Sequence, residues 1–181
     1  MLPFAALVSG AINDSLGVNP VETMTRETGE WTLRFLLITL AVTPLRKLSG
    51  ANWLIKLRRM LGLFAFFYAV LHFITYIWLD QFFDWMEIAK DIPKRPFITV
   101  GFTAFVLLIP LALTSTNNMM KRLKRNWGKL HQLVYVVAVL GCLHFLWLVK
   151  ADTREPLVYA VILLALLGFR SYTQRMKVKT E

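Results

Sequence analysis

Two stretches decide the fold of this chain: MLGLFAFFYAVLHFITYIWL (residues 60–79) and LHQLVYVVAVLGCLHFLWLV (residues 130–149). Each runs for twenty residues without an Asp, Glu, Lys or Arg. Coiled as a helix, such a run is about 30 Å long, which matches the hydrocarbon thickness of a bilayer. Apolar residues make up 56% of the 181-residue chain, too many for the surface of a soluble helical protein of this size.

Working outward, Phe97 to Leu113 is a third apolar run, uncharged as far as Met120, and Pro110 within it predicts a kink. Two weaker spans flank these. Trp31 to Leu48 contains Arg34 and ends in basic residues, and Pro156 to Phe169 can be extended by Ser171 and Tyr172. Met1 to Ile12 is apolar but only about 18 Å long as a helix. It reads either as an interfacial anchor or as the second half of a longer first helix, and we expect the second. A cleaved signal peptide is disfavoured because no basic segment precedes the apolar stretch. The expected fold is an all-α polytopic membrane helix bundle, one domain over residues 1–181, with six spans of which the first is short or truncated.

Charge placement orients this bundle. The segment 13–30 holds Asp14, Glu22, Glu27 and Glu30 against Arg26, whereas the next connection holds Arg46, Lys47, Lys56, Arg58 and Arg59 without an acid. The alternation continues along the chain. One side collects fourteen Lys and Arg against the single acid Glu181, and the other six against ten acids. The positive-inside rule then places both termini in the cytoplasm. The net charge of +10 is therefore a topology signal, since it is divided among short connections instead of gathered on a soluble surface. No nucleic-acid partner is expected; the residual attraction is to membrane lipid headgroups or an acidic cytosolic protein.

The lone cysteine, Cys142, lies inside the fifth span and reads as a packing residue. No CxxC, CxxCH or HExxH pattern occurs, which disfavours covalent heme and the common zinc sites. Chemistry must come from the three histidines.

His72 lies twelve residues past Met60 and His144 fourteen past Leu130, so the two share a depth in the outer half of two parallel helices. Small residues stand three positions before each, Ala69 and Gly141, and would leave clearance on the same helix face for a flat macrocycle. A single intramembrane histidine is most simply a hydrogen-bonded packing residue. A pair at matching depth points instead to the axial ligands of a low-spin b-type heme.

His131 lies about 20 Å below His144. Counting back from His72 by the same thirteen residues that separate His131 from His144 reaches Arg59, beside Arg58. Arginine stays protonated and is no routine iron ligand, but it can neutralise heme propionates or a flavin phosphate. Thirteen residues turn an ideal helix by about 220°, so His131 and His144 need not face one seam. A second heme at His131 and an inner flavin site both remain open. Arg34 is the other intramembrane charge, and a bare Arg at mid-bilayer would cost about 2.5–3.5 kcal/mol. It either snorkels to the outer headgroups or partners a propionate of the outer heme. The tryptophans, Trp31, Trp53, Trp78, Trp85, Trp127 and Trp147, mostly fall near the expected interfaces. Trp147, one turn beyond His144, could also pack against a porphyrin.

The combination of RRMLGL (58–63) followed by Leu71-His72, LTST (113–116), WGKLH (127–131) and LHFLW (143–147) resembles the MsrQ/YedZ family. These are the heme-binding membrane subunits of the bacterial protein-methionine-sulfoxide reductase system, within the wider ferric reductase-like transmembrane superfamily. The resemblance runs from about Leu2 to the basic tail. It implies heme b and FMN as cofactors and electron supply from the quinone pool or a cytosolic flavin reductase. It also implies a periplasmic molybdopterin methionine sulfoxide reductase catalytic subunit as acceptor, in repair of oxidised periplasmic proteins. By position, His72 and His144 match axial heme ligands and His131 the remaining family histidine. Arg58 and Arg59 stand where the superfamily's oxidases would offer a fourth histidine, a departure that leaves a second bis-histidine heme without its fourth ligand.

No connection exceeds about twenty residues, and no GxGxxG or P-loop occurs, so a nucleotide-binding domain has no place in the chain. The chain is expected to transfer electrons without making a bond to substrate. Two rival classes are a transporter or proton relay and a heme-free assembly factor. The first would normally place acids within its spans, and all eleven acids fall outside the spans assigned above.

Overall fold

A computed structural model describes residues 2–149 and 151–179, with side chains as far as Met176. The expectations attached to Met1, Lys150 and Glu181 lie outside the described residues. The rest is helical, with no strand among the described residues. The helices are α1 (Leu2–Ile12), α2 (Pro20–Ser49), α3 (Leu54–Thr75) with a π-helical extension (Tyr76–Asp80), α4 (Trp85–Lys94) and α5 (Pro96–Leu113). They continue as α6 (Asn117–Leu123), α7 (Arg125–Leu130), α8 (Leu133–Leu148) and α9 (Arg154–Lys179).

Among the described residues four helical stretches are long and apolar enough to cross a membrane: Leu54–Asp80, Pro96–Leu113, Arg125–Leu148 and Arg154–Met176. α1 is apolar but short, as read from the sequence. α2 differs from expectation, because it begins at Pro20 and not at Trp31 and runs for 30 residues. Its start is built locally. Asn19 caps it by accepting from the Glu22 N–H at 3.2 Å and donating to the Glu22 carboxylate at 3.0 Å, and Pro20 occupies the first turn, where no N–H is needed. Gly50 ends it at φ 71°, returning its N–H to the Arg46 carbonyl. Glu30, assigned to a loop by sequence, thus lies inside a helix and is buried. α5 continues through Pro110 to Leu113.

The core forms from one face of each long helix. Leu33, Leu36, Leu37 and Leu40 of α2 follow the i, i+3, i+4, i+7 pattern and are all buried. They meet Ala65 and Ala69 of α3 and Val134, Val137 and Ala138 of α8, where small side chains permit close helix approach. Cys142 is buried in this cluster as a free thiol. The opposite faces stay apolar and exposed, notably Leu157, Val158, Val161 and Leu164 of α9, as a lipid-facing surface requires.

Packing is pairwise. α2 lies chiefly on α3 and α5 chiefly on α8, while α3 and α8 have little direct backbone contact. Two antiparallel hairpins therefore face each other across a seam. The candidate site occupies that seam.

Candidate functional site

His72 projects from the last turn of α3 and His144 from the turn before the last of α8, and their ring centroids lie 6.0 Å apart with planes at 77°. The depth match inferred from residue counting is thus a direct juxtaposition. Each imidazole is oriented by the helix behind it. The Nδ1–H of His72 donates to the Thr25 carbonyl of α2 at 2.9 Å, and that of His144 to the Phe97 carbonyl of α5 at 2.7 Å. A carbonyl can only accept, so each neutral ring carries its proton on Nδ1 and keeps a lone pair on Nε2. This is the arrangement of a metal-ligating histidine held by a carbonyl partner.

Two glycines make room for the rings. A Cβ on Gly29 would fall 3.0 Å from His72 Cε1, and one on Gly101 would fall 2.6 Å from His144 Nδ1. A Cβ on Gly141 would meet Leu33 Cδ1 of α2 at 3.5 Å, an ordinary contact. Thr25 contributes a further feature. Its hydroxyl is buried without a hydrogen-bond partner, alone in this among the side-chain polar atoms of the described residues. An unmet polar group costs about 1–3 kcal/mol, so a polar edge of a bound group is wanted at this level.

These residues fit an iron held from two sides. Two metal–imidazole bonds of about 2 Å place the ligating nitrogens about 4 Å and the ring centroids about 6 Å apart. Among the described residues no three His, Cys, Asp or Glu side chains converge into a metal cage. A pair of ligands without such a cage suits a macrocycle that brings its own equatorial donors.

The other predicted residues divide into two places. At the opposite end, His131 is the capping residue between α7 and α8, not the first turn of one continuous helix. Its ring stacks on Trp127 at 3.9 Å, its Nδ1–H donates to the Trp127 carbonyl at 3.1 Å, and its Nε2 lies 3.4 Å from Ser115 Oγ. The Ser115 hydroxyl also lies 2.6 Å from the Leu111 carbonyl, and the His131 ring is within hydrogen-bonding reach of that same carbonyl. Arg59 hydrogen-bonds Asn117 at the start of α6, and Arg58 is near enough for its charge to act on His131. The linker 114–117 thus draws Arg58, Arg59 and His131 into one neighbourhood. Arg34, in contrast, faces α9. It binds Glu30 at 2.5 Å and the Tyr159 hydroxyl at 2.9 Å, reaches Glu27 at 4.0 Å and stands 4.8 Å over the Trp31 ring.

Sequence reasoning missed Gly29, Gly101, Thr25 and the Phe97 carbonyl. Gly101, inside an otherwise apolar helix, was a visible signal; Gly29, in a polar stretch, and a backbone carbonyl carried none.

The ferric reductase like transmembrane component family matches residues 28–142, a segment that contains His72 and His131 and ends two residues short of His144. The protein-methionine-sulfoxide reductase heme-binding subunit MsrQ of Herminiimonas arsenicoxydans is 59% identical over 175 residues, covering 95% of this chain and 80% of the relative. The MsrQ proteins of Xanthomonas campestris and Azospira oryzae are 59% and 56% identical, over 87% and 94% of this chain and 72% and 74% of their own lengths. With a helical membrane bundle, a seam of facing imidazoles and identity sustained along nearly the whole chain, this protein belongs to the MsrQ family of ferric reductase-like transmembrane proteins.

Proposed function

We propose that this chain is a heme-binding inner-membrane subunit that conducts electrons to a periplasmic methionine sulfoxide reductase. The observation that carries the reading is the His72–His144 pair, 6.0 Å apart, with each Nδ1 committed to a backbone carbonyl. A bis-imidazole heme b supplies a one-electron couple with no open position for oxygen chemistry. The chain's part is to hold both ligating nitrogens in register and to exclude water. Thr25 and Phe97 fix the imidazole tautomers, Gly29 and Gly101 let two helices approach them, and the Thr25 hydroxyl stands ready for a polar edge.

The six-span reading, with both termini cytoplasmic, has support in the alternation of acidic and basic ends. All ion pairs among the described residues lie at the end that would face the periplasm, including Arg26–Glu155, Arg34–Glu30 and Arg95–Asp91. The basic end, with Arg58, Arg59 and His131, is the proposed entry for electrons from the quinone pool or a cytosolic flavin reductase. Its cations suit a heme propionate or the phosphate of FMN, and His131 is the imidazole that a second heme would use there. The acidic end would meet the molybdopterin catalytic subunit, where the sulfoxide chemistry occurs. The whole chain, residues 1–181, is taken as one ferric reductase-like domain.

The test is a reduced-minus-oxidised visible spectrum of the purified chain with heme supplied, for wild type and for His72→Ala, His144→Ala and His131→Ala. Wild type is expected to show b-type bands that are lost in His72→Ala and in His144→Ala and survive in His131→Ala. Absence of bands in wild type would remove the electron-transfer reading and favour a heme-free assembly factor. Unchanged bands in both outer variants would overturn the ligand assignment alone.

A further inference from the structure

Away from the histidine seam, the basic end contains a cavity of about 240 Å³ between α2, α8 and α9. Arg46, Lys47 and Arg170 border it, and Leu40, Leu166 and Leu167 supply an apolar wall. Arg46 and Arg170 are only partly exposed, so their charges are incompletely hydrated. Arg170 is further placed by Tyr135, whose ring lies 4.5 Å beneath its guanidinium. Among the described residues none of these three cations has a carboxylate partner, whereas every ion pair lies at the other end, on Glu27, Glu30, Glu87, Asp91 and Glu155. Three cations converging on a half-apolar cavity at the end of a membrane bundle lack a counter-charge that is itself amphipathic.

We propose that this cavity binds an anionic phospholipid, with Arg46, Lys47 and Arg170 on the phosphate oxygens and the leucines receiving the first part of an acyl chain. Paired guanidinium and ammonium donors match a phosphodiester, and basic pockets between helices at a cytoplasmic face suit such headgroups. A small soluble anion such as inorganic phosphate would use the same cations but leave Leu40, Leu166 and Leu167 without a partner, whereas a phospholipid engages both parts of the lining. The apolar wall therefore decides for a lipid. The inference does not depend on heme binding or on electron transfer.

Native mass spectrometry of the delipidated full chain in detergent, titrated with dioleoyl phosphatidylglycerol or dioleoyl phosphatidylcholine, tests it. Each cation near a membrane surface contributes about fivefold in affinity for an anionic lipid, so the phosphatidylglycerol preference of wild type is expected to be about a hundredfold. Arg46→Gln and Arg170→Gln singly should each cost about fivefold. The triple variant with Lys47→Gln should bind the two lipids alike, and circular dichroism should show it still helical. Lys121→Gln with Arg122→Gln, at the same end but off the cavity, should leave the preference intact. Equal retention of both lipids by wild type, or a preference undiminished in both single variants, would overturn the proposal. Displacement of phosphatidylglycerol by equimolar FMN or inorganic phosphate would identify a soluble phosphate site and overturn it as well.

Discussion

At the scale of single residues, the site depends on what is absent from two helices. Gly101 and Gly29 face His144 and His72 so closely that an added methyl group competes with the imidazole. Gly62 is a useful contrast, since its nearest neighbour to a built Cβ is Thr39 Cγ2 at 3.9 Å. Gly101→Ala would push His144 off the Phe97 carbonyl, and losing such a supporting hydrogen bond costs about 10–100-fold in metal-site affinity. Heme retention on dilution is therefore expected to fall most in Gly101→Ala, less in Gly29→Ala, where the overlap is milder, and not at all in Gly62→Ala. Any other order, read from the Soret band after gel filtration, would show that the rings are not placed by these contacts. His72 and His144 themselves were legible in the sequence, because an imidazole inside a twenty-residue uncharged run stands out against its surroundings. Their supports were not. A carbonyl such as that of Phe97 belongs to every residue alike, and only a neighbouring helix turns it into a specific partner.

At the scale of elements, α2 is the least apolar of the long helices and carries the ion-pair network. Glu30, buried, accepts from the Arg26 Nε at 2.9 Å and from Arg34 Nη2 at 2.5 Å, and Arg26 reaches on to Glu155 of α9. One carboxylate thus ties two turns of α2 together and lets Arg26 clamp α9. Removing one partner of a fully buried ion pair costs about 3–5 kcal/mol, and partial exposure of both arginines lowers this to about 2 kcal/mol. Glu30→Ala should accordingly lower the thermal midpoint in detergent by about 4–8 °C, measured by tryptophan fluorescence. An unchanged midpoint would mean that solvent already screens the network. Reading Glu30 as a loop residue followed from its charge, and the capped start at Asn19 shows why that was too short. A helix can continue past the apolar run when its acids find arginines. The break between α7 and α8 at His131 was equally hidden, because WGKLHQL contains neither Gly nor Pro at the break itself.

At the scale of the whole molecule, charge and polarity are segregated along the bundle axis. The acidic end is cross-linked by ion pairs from Arg26, Arg34, Lys90 and Arg95, and the basic end presents cations to whatever lies beyond it. Reporter fusions give the orientation. Green fluorescent protein after α9 or within the α2–α3 connection should fluoresce, and alkaline phosphatase in the 81–84 connection should be active. The inverse pattern would reverse the bundle and exchange the entry and exit sides. At this scale the sequence was most informative, because bilayer thickness and the positive-inside rule act on long runs and on summed charge, which need no tertiary knowledge.

By itself, the amino-acid sequence determined the helical membrane class, the alternation of acidic and basic ends, and the two histidines at one depth. These follow from hydrophobicity, helix rise and charge, all of which are local or additive along the chain. Only the tertiary structure decided that α2 pairs with α3 and α5 with α8, that their seam brings His72 to His144, and that Thr25 and Phe97 orient the rings. It likewise gave Arg34 to Glu30 and Tyr159, and gathered Arg46, Lys47 and Arg170 around one cavity. Those outcomes depend on which helix faces meet, and that depends on the packing of many side chains at once.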